Sequence, residues 1–131
     1  MTDTERNEIV KYRLSRAHET LNEVDILIDN QLWNTAINRL YYACYYAVNA
    51  LLVSIKIKAQ THAGVRQMFG LHFVITGKIS RDLGKFYSII FDKRLTGDYD
   101  DFVDHKEEDV LVLFTMAKKF LKEIDKLVET S

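Results

Sequence analysis

Arg39, Tyr42 and Tyr46 stand at positions i, i+3 and i+7, with Asn38, Tyr45 and Asn49 beside them. On a helix that turns about 100° per residue, these six side chains share one side. A guanidinium presents a planar fork of donors that matches a phosphate, a phenol donates a hydrogen bond or stacks, and an amide donates and accepts. Such a face can hold an anion and an aromatic ring. A purely solvated helix face has little use for that many tyrosines, so this one is expected to meet another helix, a second copy of the chain or a ligand.

The element that positions them is an uninterrupted helical pattern from about Trp33 to Ile57. Trp33, Ile37, Leu40, Cys44, Ala47, Leu51 and Ile55 fall on one stripe, opposite the tyrosines, and read as its core face. An earlier helix is expected from Thr4 to Ile28. Its seam is Val10, Leu14, Ala17, Leu21, Val24 and Ile28, with His18 a partly exposed structural residue beside it. Asp29-Asn30 interrupts the pattern, and the short connection implies an antiparallel hairpin.

After Lys58-Ala59-Gln60, Thr61 is a good N-cap for a third helix that starts at His62, bends near Gly70 and ends near Gly77. Ser80 or Asp82 opens a fourth, through Leu83, Phe86, Tyr87, Ile90 and Phe91 to Arg94, and Gly97 closes it. Between Asp98 and Asp109 there are seven acids. The first of them read as a loop or cap, with Arg94 near enough in sequence to brace Asp98. The last, Glu107-Glu108-Asp109, read as the first turn of a final helix, where they favour its dipole. That helix carries Val110, Leu113, Ala117, Phe120, Ile124 and Leu127 inward. The expectation is an all-α, up-and-down bundle of four to five helices forming one domain over residues 1–131, with no strand, repeat or linker.

Composition narrows the function classes. The net charge of −1 hides a segregation: residues 56–94 carry a balance of +6, and residues 95–131 a balance of −5. The basic segment can meet phosphate or pair with the acidic one, but this is not the profile of a protein that grips DNA by bulk charge, and sequence-specific DNA binding is not expected. No apolar run approaches the roughly 20 residues of a membrane span, and the polar, acidic N-terminus is no signal peptide. A cytoplasmic location is expected. Cys44, the only cysteine, lies mid-helix on the apolar stripe, a poor setting for a nucleophile.

Other chemistries can be set aside. The residues three before His18, His62, His72 and His105 are Ser15, Ala59, Phe69 and Phe102, so the Glu-x-x-His pairs of di-iron bundles are absent. Neither a glycine-rich phosphate loop nor zinc-ligand spacing occurs, and the acidic run lacks the calcium-loop pattern. No metal and no cofactor are expected.

The run Ala36-Ile37-Asn38-Arg39-Leu40-Tyr41-Tyr42-Ala43-Cys44-Tyr45-Tyr46-Ala47-Val48-Asn49-Ala50-Leu51-Leu52 resembles the central helix of HEPN domains (higher eukaryotes and prokaryotes nucleotide-binding), closest to the short stand-alone proteins of bacteria and archaea. The likeness continues through Thr61-His62-Ala63-Gly64-Val65, Phe69 to Lys78, Arg94 with Gly97-Asp98-Tyr99, and Ala117-Lys118-Lys119-Phe120, covering about residues 8–128 in order. It implies a helical bundle, a homodimer, and a minimal nucleotidyltransferase as the partner in a toxin–antitoxin pair. Active members are metal-independent ribonucleases whose arginine, followed by a histidine, lines a cleft shared by two subunits. The arginine maps onto Arg39; where the histidine should stand, this chain has Tyr46.

That departure bears on mechanism. An imidazole titrates near neutrality and can take the proton of a ribose 2′-hydroxyl, whereas a phenol, with a pKa near ~10, keeps its own. The resemblance thus implies a site of Arg39 and Tyr46, flanked by the binding residues Asn38, Tyr42, Tyr45 and Asn49, that binds RNA or a nucleotide with reduced or no cleavage. Two alternatives stand beside it: an active ribonuclease that uses Arg39 with Tyr46 or with a borrowed imidazole, His62 or His72, and a non-catalytic scaffold in which the tyrosine face only dimerises.

Overall fold

Among the described residues there are five α-helices and one π-helical turn: α1 Asp3–Asp29, α2 Trp33–Ser54, α3 His62–Phe69, the π turn Gly70–Val74, α4 Arg81–Tyr99 and α5 Glu107–Thr130. The structure, a computed structural model, describes residues 1–99 and 105–130, without the side chains of 95–99. Among the described residues there is no strand, and the architecture is the expected all-α bundle. No helix among them is long and apolar enough to cross a membrane.

Capping sets the helix ends. Thr2 Oγ1 accepts from the Glu5 N–H at 3.1 Å while the Glu5 carboxylate accepts from the Thr2 N–H at 3.1 Å, a reciprocal cap that starts α1 one residue earlier than expected. At its other end Gln31 takes a left-handed conformation (φ 58°). The Leu32 N–H then reaches the Leu27 carbonyl at 2.9 Å and the Gln31 N–H reaches Ile28 at 3.0 Å. The same device closes α2: Lys56 has φ 65°, and Ile57 donates to the Leu52 carbonyl at 2.9 Å. The apolar periodicity runs on to Ile57, yet α2 stops at Ser54, because Ile57 returns to the core through this turn rather than through another turn of helix.

α2 is the axis of the bundle, packed against α1, α3, α4 and α5. Its buried arc is wider than the single stripe read from the sequence. Besides Ile37, Leu40, Cys44, Ala47 and Leu51 it takes in Ala36, Tyr41, Ala43, Val48, Ala50 and Leu52. A helix wrapped by four neighbours buries more than half its circumference, and its alanines admit the close approach of α1. From α1 come buried Val10, Ala17, Leu21 and Val24, with Leu14 and Ile28 partly covered, which is the expected seam. α5 contributes Val110, Leu113, Phe114, Ala117, Phe120, Leu121 and Ile124. His18 joins α1 to α5 at the surface, its Nε2 2.9 Å from Asp125 Oδ2.

Thr61 caps α3 as expected, Oγ1 accepting from the Gly64 N–H at 2.9 Å. The expected bend near Gly70 is the π turn, and Gly77 (φ 76°) ends the segment. α4, by contrast, runs through Gly97 to Tyr99, so Gly97 does not close it and Asp98-Tyr99 is its last turn rather than a loop. An interior glycine costs a helix about 1 kcal/mol, which slows but does not stop propagation where no proline follows. The expected Arg94–Asp98 brace and residues 100–104 lie outside what the structure describes. α5 opens, as expected, on Glu107, Glu108 and Asp109, and the His105 N–H ties its start to α2 through Asn34 Oδ1 at 2.9 Å.

Gly84 is needed for a different reason. A Cβ there would lie 2.8 and 2.9 Å from the two γ carbons of Val74, where α4 crosses the π turn. Gly84→Ala gains helix propensity of about 1 kcal/mol but meets a β-branched side chain held on an ordered turn. The clash wins, and urea unfolding is expected to show a net loss of about 1–2 kcal/mol.

Candidate functional site

Between Ala36 and Val53 the unburied residues of α2 form a lengthwise strip, Asn38, Arg39, Tyr42, Tyr45, Tyr46, Asn49 and Val53, every one of them half-buried. All six residues singled out from the sequence are therefore brought together at the rim of the core, neither sealed inside nor fully solvated. Tyr42 is its centre. Its ring lies 5.3 Å edge-on from Tyr41, 6.2 Å from Tyr45 and 6.0 Å from Tyr46.

α1 supplies one bank of the strip through its antiparallel register with α2. Each step of three or four residues up one helix is matched by an equal step down the other. Arg39 Nε approaches Glu23 Oε2 at 3.4 Å without making a hydrogen bond, its guanidinium 5.8 Å from the Tyr42 ring centre. Arg16, bonded to Glu19 at 3.0 Å, holds its guanidinium 5.9 Å from the Tyr46 ring. Arg13 donates to Asn49 Oδ1. Beyond Asn49 the strip runs into a groove of about 180 Å³ lined by Arg13, Val53, Lys58 and Gln60.

The other bank comes from α3 and α4. His62 Nδ1 lies 2.6 Å from the buried Tyr41 hydroxyl, and its ring stacks on Tyr45 at 4.3 Å between centres. Arg94 is buried with its guanidinium 4.8 Å from the Tyr41 ring centre and 5.8 Å from that of Tyr42. Burial pushes the Tyr41 phenol well above the usual phenol range, against the pull of Arg94. Burial, with Arg94 adding to it, holds His62 below the usual imidazole value. Both groups are therefore neutral at pH 7. Cys44 is fully buried and its thiol is pushed far up by desolvation, so it is inert as expected.

The arrangement places four arginines along a row of phenols with one neutral imidazole at its edge, and two carboxylates, Glu19 and Glu23, on the α1 side. Arginine forks and phenols in such an array can receive an anion and stack on a ring. A groove of about 520 Å³ between α4 and α5, lined by Lys119, Lys122 and Lys126 with Asp82 and Glu123, lies elsewhere. Among the described residues no ion pair joins the basic segment to α5; Arg66 instead meets Asp92, within its own segment, at 3.4 Å.

The model of the HEPN domain matches residues 10–127. The chain belongs to the HEPN family. Among its relatives, a "UPF0332 protein" of Thermotoga maritima is 41% identical over 125 residues, 95% of either chain. Two proteins of Methanocaldococcus jannaschii, both bearing the name "Putative toxin", are 32% and 28% identical; the alignments cover 89% and 86% of this chain and 92% and 77% of theirs.

In this HEPN chain, sequence reasoning missed the banks of the strip. Arg13, Arg16 and Glu23 recur at i, i+3 and i+10 just off the α1 seam, the same spacing as Arg39, Tyr42 and Asn49, and that shared period was the available signal. Nothing in the sequence points Arg94 toward Tyr41, since only the crossing of α4 over α2 brings it there. His62 was weighed as a borrowed imidazole, and it does reach the strip. His72, on the π turn, makes no ring contact with it.

Proposed function

We propose that this chain is the toxin-like member of a HEPN and minimal nucleotidyltransferase pair, which binds RNA or a nucleotide in a cleft between two copies, with little or no ribonuclease activity. The observation that carries this reading is the strip itself. The most deeply buried helix of the bundle keeps one face open, and that face holds Arg39, Tyr42, Tyr45, Tyr46 and two amides, with Arg13 and Arg16 beside them. An arginine fork receives a phosphate, and phenols stack on bases. With Tyr46 where active members carry histidine, the strip's own motif lacks the group that deprotonates a 2′-hydroxyl. The names of the archaeal relatives support the toxin-like part of the reading.

The test is binding and cleavage measured side by side. A fluorescein-labelled ten-nucleotide oligouridylate should bind the purified protein, and Arg39→Ala should weaken binding roughly tenfold, the value of one charge-assisted hydrogen bond. Total RNA should stay intact over a wide range of protein concentration. Cleavage that vanishes in Arg39→Ala would instead identify an active ribonuclease. An Arg39→Ala protein with altered sedimentation, and no oligonucleotide binding by either form, would leave a scaffold.

A further inference from the structure

His62 does not belong to the arginine–tyrosine pattern of α2, yet its ring is held by three tyrosines of that helix. It is the first residue of α3, behind the Thr61 cap. Tyr41 holds one edge of the ring at 2.6 Å, Tyr45 covers one face at 4.3 Å and an interplanar angle of 22°, and Tyr42 meets it edge-on at 5.8 Å and 88°. Arg39 and His62 thus both stand within 5.8 Å of the Tyr42 ring centre. We propose that His62 is a further ligand-binding residue of this face, which donates a hydrogen bond from Nε2–H to a phosphate oxygen of bound RNA and does not serve as the general base.

Proton accounting decides between donor and base. Tyr41 is wholly buried and keeps its proton, and a buried hydroxyl proton needs an acceptor. His62 Nδ1, 2.6 Å from the hydroxyl, is placed to be that acceptor. In a neutral imidazole whose Nδ1 accepts, the ring proton sits on Nε2, at the opposite edge of the ring from Tyr41. Both lone pairs of the ring system are then spoken for: the one at Nδ1 by the phenol, the one at Nε2 by its proton. A general base needs a free lone pair, and in this tautomer Nε2 carries a donor instead. Arg94 supports the arrangement, because a buried cation beside the imidazole disfavours a second proton on it. A fixed N–H on a face already lined by arginines suits an anionic oxygen, and the phosphodiester is the anion that also brings a base for the neighbouring phenols.

The inference rests on the reading of this face as an RNA-binding surface, and the experiment separates the two. Long-range ¹H–¹⁵N spectra of the wild-type protein at pH 7.5 should show His62 as the Nε2–H tautomer; an Nδ1–H tautomer overturns the proposal without any variant. With the labelled oligouridylate, His62→Ala should weaken binding roughly five- to tenfold. His62→Gln keeps an outward donor and an acceptor for Tyr41, and should restore most of what His62→Ala loses. If Arg39→Ala weakens binding and His62→Ala does not, the face binds RNA and His62 has no part in it. If neither variant weakens binding, the RNA-binding reading falls and takes this one with it. If His62→Gln binds normally but abolishes an RNA cleavage present in the wild type, His62 is the base and the proposal is wrong.

Discussion

Phe120→Ala is expected to cost about 3–5 kcal/mol of stability, a third or more of what a domain of this size typically has. Phe120 is fully buried where α3, α4 and α5 converge. Its ring lies parallel to Tyr87 at 5.6 Å and 3°, meets Phe69 at 5.7 Å and 68°, and tilts against Phe86 at 5.6 Å. Truncation removes these contacts at once and leaves a cavity walled by rigid rings, which collapse around a void less readily than aliphatic chains. Urea unfolding followed by far-UV circular dichroism measures the loss. Leu111→Ala, on the same helix but 44% exposed, should stay within about 0.5 kcal/mol. Equal losses at the two positions would mean that α5 is not packed as described. The consequence reaches the candidate site, because Tyr87 in turn stacks on Tyr41 at 6.3 Å, and Tyr41 holds His62.

This chain of contacts marks where the sequence is legible and where it is not. The hydrophobic seam of α1 and the axis of α2 follow from spacing alone, because burial of one face imposes a period. Thr61 and the first acids of α5 are equally local: a cap or a dipole acts within one turn. The four tyrosines at 41, 42, 45 and 46 show the limit. They are the same residue type within two turns of helix, yet Tyr41 is sealed in the core while Tyr42, Tyr45 and Tyr46 line the open strip. What separates them is which neighbour covers which angle of α2, and that depends on α3 and α4 crossing it.

Arg94 was legible only as a partner for its own helix, and its place over the Tyr41 ring is a product of the same crossing. Gly97 misled for the complementary reason: its local cost is real but small, and a helix anchored by Leu83, Phe86, Tyr87 and Ile90 can carry it. The six residues of the strip are legible because they share a helix; their arginine neighbours Arg13, Arg16 and Arg94 are not, because they come from two others.

Tyr46→His should convert the strip from a binding face into a cleaving one, raising cleavage of the oligouridylate by about 10²-fold or more over the wild type. The substitution places an imidazole on the open side of α2, one turn beyond Tyr42 and seven residues from Arg39, with no buried phenol supplied to occupy its nitrogen as Tyr41 occupies that of His62. An unprotonated nitrogen there can take the 2′-hydroxyl proton. The 2′-oxygen then attacks the adjacent phosphorus and the 5′-oxygen leaves with a proton from water, giving a 2′,3′-cyclic phosphate end. The pH dependence has a definite sign. The base works only when deprotonated, so the rate should rise with pH through roughly 6–6.5 and then level off. Arg16, whose guanidinium stands 5.9 Å from the residue-46 ring, disfavours the imidazolium and should move the midpoint to the lower side of that range. Arg16→Gln in the Tyr46→His background should shift it back up. Cleavage in the variant should also require Arg39, since the fork proposed to hold the phosphate is unchanged. A wild-type protein that already cleaves as fast as Tyr46→His would show that the phenol was never the limiting group.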